Sequence, residues 1–315
     1  MPRENDRFLP YGAALGTLYL IAKSLVVNFS GAIFFIFVAR FLPNVADLGL
    51  VTGISAVIAL TTIIAGLGLP AATTRFMSRC IGAGKKDESK GIPRLILITG
   101  SISSIIVSFA LYLSSPHIAS IFFHEAAYTE PIRLASIDVF LQSIISFSTS
   151  ILLANQEFRK ISIISVINSG VKYAAASALL ILGRGFDGII IGWIIGDILS
   201  LVMYACVLGP NIRKGNIVEI KPFFRYSLPI YGSAILDFLS FNLDRYLLLF
   251  LSNLHEVGIY SPAVLIGGLL VVILQSLDQA LLPHFSRIYG KSGTDSFQEM
   301  SKFVSRYLFL IFTPL

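Results

Sequence analysis

The chain has 315 residues, of which 55% are hydrophobic and only 13% charged, where ordinary soluble domains carry about a quarter charged residues. That composition excludes a soluble globular enzyme and points to a membrane protein, and a formal net charge of +6 then belongs to loops and needs no nucleic-acid partner. The apolar residues gather into runs near the roughly 20 residues a helix needs to cross a hydrocarbon core, so the spans are helices and not barrel strands.

Residues 1–10 carry Pro2 and Pro10 with Arg3, Glu4, Asp6 and Arg7. Lacking the hydrophobic core and small-residue cleavage site of a signal peptide, they read as a short cytoplasmic tail. Hydrophobic runs then predict spans at 17–41, 48–68, 94–115, 132–154, 161–182, 188–209, 226–251 and 258–282. A ninth starts near 307 and stops after "YLFLIFTPL", short of a full crossing, so the expectation is about nine spans in a truncated chain. The organisation expected is a six-helix lobe at 11–209, a cytoplasmic linker at 210–225 and a partial second lobe at 226–315.

Every second loop is basic. Arg75, Arg79, Lys85, Lys86, Lys90 and Arg94 precede the third span, Arg159 and Lys160 the fifth, and Arg213, Lys214, Lys221 and Arg225 the seventh, while the alternate loops hold only Arg184. Because Lys and Arg resist translocation, this asymmetry puts the N terminus in the cytoplasm. Cys80 and Cys206 then sit at the reducing side, with no structural disulfide implied. His117, His124, His255 and His284 lack metal-ligand spacing. "GAGKKDESKG" at 82–91 has Arg79 and Lys86 where a phosphate loop needs Gly and Ser or Thr, and reads as a solvated basic connector. The "NFS" sequon at 28–30 lies inside a span, where no glycan attaches. No cofactor is expected.

Two blocks recur. "FLPNVADLGL" at 41–50 matches "FLSNLHEVGI" at 250–259 at an offset of 209 residues, and "SRCIG" at 78–82 matches "SRIYG" at 286–290 at 208. The copies lie six spans apart, an even number, so they are parallel repeats, an arrangement that places substrate between two bundles.

The stretch "FFRYSLPIYGSAILDFLSFNLDRYLLLFLSNLHEVGIYSPA" at 223–263, with "ALLPHFSRIYG" at 280–290, "AKSLVVNFSGAIFFIFVARFL" at 22–42 and "GLGLPAATTRFMSR" at 66–79, resembles the polysaccharide and O-antigen flippases of the superfamily that also contains multidrug extruders. The resemblance implies an all-helical, two-lobe transporter of 12 to 14 spans alternating access to a central cavity, from which this chain departs by stopping in the ninth. It implies a plasma-membrane flippase that translocates a polyprenyl-diphosphate-linked oligosaccharide, driven by an H+ or Na+ gradient, with polysaccharide assembly enzymes as partners. A cation-coupled multidrug exporter and a non-transporting truncated homologue are the alternatives.

Charges inside spans cost about 2.5–3.5 kcal/mol even on lenient insertion scales, so they mark candidate sites. Ser233, Asp237, Ser240 and Asp244 recur at helical spacing and form one face, expected either to line the cavity and bind a coupling ion or to pack inside the lobe. Arg245 points about 100° away from Asp244 and is expected to pair elsewhere. Lys23 lies about 8 Å inside the cytoplasmic end of its span, where its stem can snorkel; the resemblance implies instead that it holds the lipid diphosphate, with Asn28 and Lys172 as further substrate contacts. Lys172 and Asp197, at similar depth on consecutive spans, form either an internal ion pair or part of the cavity. Asp138 with Gln142, and Asp278 with Gln275, are smaller polar patches.

Overall fold

The computed structural model describes residues 9–42, 44–212 and 220–268, together with Leu282 and Ser286. The helices are α1 (Leu9–Phe41), α2 (Val45–Gly66), α3 (Leu69–Gly82), α4 (Lys86–Phe122), α5 (Thr129–Ala154), α6 (Phe158–Leu179), α7 (Gly185–Ile212) and α8 (Ile220–Leu251), followed by α9 at 254–268. No strand occurs among the described residues, as expected where lipid leaves backbone groups only intrahelical partners. The expected ninth span, Gln275 with Asp278, and most of the second "SRIYG" block lie outside the described residues. Five segments are long and apolar enough to cross a membrane, the last being α6 and α7 taken together. The 32 residues of α8 fall outside that set because its polar face dilutes its hydropathy.

Three expectations are corrected. The basic stretch after the second span is not a loop: residues 69–82 form α3, whose Leu69, Ala72, Thr73 and Met77 are buried at helical spacing while Arg75 and Arg79 stay exposed. An amphipathic helix escapes a hydropathy window because its mean is low. Leu67 and Gly68, both at positive φ, break the chain between α2 and α3. The connector at 82–91 shrinks likewise, since α4 already begins at Lys86. At its other end α4 runs past Pro116 to Phe122. Proline there removes the amide that would bond the Tyr112 carbonyl, and Ser115 Oγ donates to that oxygen instead at 2.8 Å. The turn expected between the fifth and sixth spans is present: Gly183 and Gly185, both at positive φ, break the helical path between α6 and α7.

Packing is layered along the bundle axis. One apolar cluster gathers Phe34 and Val38 of α1, Ile54 of α2, Ile132 and Val139 of α5 and Ile189 of α7. The other gathers Leu20, Leu69, Ile96, Phe147, Ile161 and Tyr204. Hydroxyls tie helices within the second region: Ser103 Oγ donates to the Ala65 carbonyl at 2.8 Å and Ser78 Oγ to that of Ala154 at 3.2 Å. Such bonds average about 0.6 kcal/mol in membrane bundles.

The last two helices dock on α2 and α3. The Phe76 ring packs tilted against Phe223 at 4.8 Å between centroids, Arg75 lies over the Tyr226 ring at 4.1 Å, and Tyr246 Oη donates to the Ala56 carbonyl at 2.8 Å. Where α2 meets α9, residues separated by the repeat offset touch one another. Ser261 Oγ donates to Thr52 Oγ1 at 2.9 Å. A Cβ on Gly49 would collide with the Leu254 carbonyl, and one on Gly258 with the Val45 carbonyl. Thr52 and Ser261, Gly49 and Gly258, and Val45 and Leu254 are each 209 apart. The recurring sequence block is therefore also a two-fold contact in space.

Candidate functional site

Between the two apolar layers lies a polar one. On α5, Gln142, Ser146 and Thr149 follow at helical spacing; on α6, Ser165, Asn168, Ser169 and Lys172; on α7, Asp197, Ser200 and Tyr204. Together with Lys23 and Val27 of α1 and Thr62 of α2 they line a cavity of about 410 Å³, within the size range of small-molecule sites. The close approach of α6 and α7 builds its back wall. A Cβ at Gly192 would collide with the Ala176 backbone, and one at Gly196 would press on Lys172, so only glycine lets these helices meet there.

That contact brings Asp197 onto α6. Lys172 Nζ lies 3.3 Å from Asp197 Oδ2, Asn168 Nδ2 donates to Asp197 Oδ1 at 2.9 Å, and Lys172 also stands 5.3 Å from the centroid of Trp193. Asp138 completes the cluster: it is fully buried, accepts from Gln142 Nε2 at 2.7 Å, and lies within electrostatic reach of both Lys172 and Asp197. Satisfaction is incomplete. Asp138 Oδ1, Asn168 Oδ1, Trp193 Nε1 and Thr62 Oγ1 are buried without a hydrogen-bond partner among the described residues, a state that costs about 1–3 kcal/mol per group unless something else supplies the bond. Thr149 Oγ1 and Tyr204 Oη are bonded at 2.8 Å and close the cavity on its far side.

Of the residues singled out from sequence, the cavity unites Lys23, Gln142, Lys172 and Asp197. Lys23, half-buried, makes no ion pair or hydrogen bond among the described residues, so its charge is available to the cavity. Asn28 is elsewhere: it is exposed and its Nδ2 donates to the Ser24 carbonyl at 2.8 Å. Ser233, Asp237, Ser240 and Asp244 do share one exposed face of α8, outside this cavity. Ser233 and Ser240 donate to their own helix, to the carbonyls of Pro229 at 3.2 Å and Leu236 at 2.8 Å, and Asp237 has no partner among the described residues. Asp244 accepts from Tyr260 Oη of α9 and from the Arg245 amide at 2.8 Å. Arg245 makes no ion pair among the described residues. The hydroxyl wall of Ser146, Thr149, Ser165 and Ser200 was not anticipated, although its signal is present as polar residues three or four apart, at one depth on three helices.

Residues 37–315 match the family described as polysaccharide biosynthesis protein. No curated protein matches the chain in sequence. Among solved structures, a mutant of the Vibrio cholerae MATE transporter VcmN superposes with a TM-score of 0.78 at 17% identity, over 95% of this chain and 70% of that one. A MATE protein in complex with Br-NRF gives 0.76 at 16%, over 95% and 72%. A MOP superfamily transporter from Pyrococcus furiosus, described as having a binding pocket of reverse polarity, gives 0.75 at 16%, over 95% and 69%. At these identities the likeness is one of fold, the all-α fold that these membrane proteins share.

Proposed function

We propose, from the premise that the chain belongs to the polysaccharide biosynthesis protein family, that it is a flippase moving a lipid-linked oligosaccharide across the plasma membrane by alternating access. The observation that carries this reading is the cavity: a lysine without a counter-ion, Lys23, faces a wall of hydroxyl and amide groups. A lysine is a suitable point charge for a diphosphate, and hydroxyls and amides suit sugars. In the proposed cycle the diphosphate meets Lys23 from the cytoplasmic side, the side assigned by the basic loops. Lys172 stays partly neutralised by Asp197, the sugars lie against the polar layer, and the lipid tail remains in the bilayer. Asn28 and the α8 face, with Asp237 and Asp244, contribute contacts on the far side of α1 and in the space between the halves. A coupling H+ or Na+ is worth about 2.3 kcal/mol per charge per 100 mV.

Complementation of a strain lacking its own flippase tests the proposal. Surface polymer restored by the chain and lost in Lys23→Ala at matched expression supports it; well-expressed protein that restores no polymer refutes it. A second reading, a cation-coupled exporter, is favoured by one observation: two carboxylates, Asp138 and Asp197, are buried beside the cavity, and cationic substrates would be drawn to them. Efflux of a cationic dye without polymer would select it.

A further inference from the structure

The crossing of α2 and α9 is built unlike any other contact among the described residues. Its members come in pairs related by the repeat offset, and each pair faces itself: Thr52 against Ser261, and Gly49 with the Leu254 carbonyl mirrored by Gly258 with the Val45 carbonyl. Both helices also begin alike. Asn44 precedes α2, and Asn253 precedes α9, where its Oδ1 accepts from the Glu256 amide at 3.0 Å. A self-complementary contact of this kind lies on a local two-fold axis. The axis passes through the end of the molecule that holds Leu42, Asn44, Ser252 and Asn253, and the polar face of α8 begins further in, at Asp244.

We propose that this crossing is a symmetric latch closing the outer end of the space between the halves, and that it parts when the protein opens outward. The inference rests on the transport reading and adds the contact that must break. Its chemistry suits a contact made and broken repeatedly. Glycine removes the side chains that would interlock, leaving backbone carbonyls against backbone, and one hydroxyl pair spans the axis. The Val257 carbonyl lies 2.6 Å from Ser261 Oγ and the Gly49 carbonyl 3.0 Å from Thr52 Oγ1, so each hydroxyl has an acceptor on its own helix to which its proton can turn when the halves part. Opening therefore strands no buried donor, which would otherwise cost about 1–3 kcal/mol.

The test uses thiols in intact cells. In T52C/S261C, side chains whose oxygens lie 2.9 Å apart should crosslink under mild oxidant, given the short Cβ separation a disulfide requires. The single variants T52C and S261C should react with a membrane-impermeant maleimide applied from outside, above the wild-type background from Cys80 and Cys206, and the crosslinked pair should not. Gly49→Val and Gly258→Val should each raise that reactivity at Thr52→Cys or Ser261→Cys, and by the same factor, because the two-fold makes them equivalent. Surface polymer should vanish on oxidation and return on reduction. Failure to crosslink, single thiols that never label or label only from the cytoplasmic side, or polymer export that continues through the crosslink would each overturn the latch. If no variant, wild type included, ever makes polymer, the flippase reading falls while the thiol data still decide the latch.

Discussion

The polar layer inside α5–α7 and the polar face of α8 use the same residue types and meet opposite fates. Asp197 is almost fully buried and held by Lys172 and Asn168; Asp237 is exposed and has no partner among the described residues. The first carboxylate belongs to the packing of the bundle, and its removal is a structural event. The second is not held by the packing of the described residues, so its removal is expected to leave the bundle intact. Helical spacing thus finds a polar face but does not say whether protein or cargo faces it.

Asp197→Ala should separate these cases most sharply. It leaves Lys172 buried without its carboxylate, at an expected loss of about 3–5 kcal/mol, read as a lower unfolding midpoint of the detergent-solubilised protein. Replacing both partners, Lys172→Met with Asp197→Leu, should recover most of that stability while transport stays lost; a double variant as unstable as the single one would break the comparison. Lys23→Ala should do the reverse, lowering transport about ten- to hundredfold, as expected for one charged hydrogen bond of ~1.5–3 kcal/mol, with the unfolding midpoint unchanged. Thr149→Val, which removes the bond to Tyr204, should cost about 0.6 kcal/mol. Asp237→Asn should move stability by no more than about 0.5 kcal/mol, and a fall in polymer export at that unchanged midpoint would assign the α8 face to transport.

The helical class and the place of Lys23 and Lys172 at one polar layer were legible because each rests on a strong local cost, that of placing charge or bare backbone in lipid. The repeat block was legible as well, and the contact between Gly49 and Gly258 gives it a spatial meaning no window of sequence contains. What escaped was whatever depends on a neighbour. α3 was hidden because its burial comes from α4 and α5 and not from its own hydropathy. The continuation of α4 through Pro116 depended on Ser115 supplying a replacement donor. Asn28 shares α1 with Lys23 but turns away from the cavity, since five residues on a helix advance the side chain by about 140°.

Trp193 is the chain's single tryptophan. It is buried, its indole N–H has no hydrogen-bond partner among the described residues, and Lys172 lies against its ring. The chain therefore carries an optical reporter beside Lys172, a residue that lines the cavity, with no second indole to dilute the signal. A cargo that draws Lys172 off the ring, or supplies the indole with an acceptor, changes the emission of that one fluorophore, so binding can be titrated on unlabelled protein before any transport assay exists.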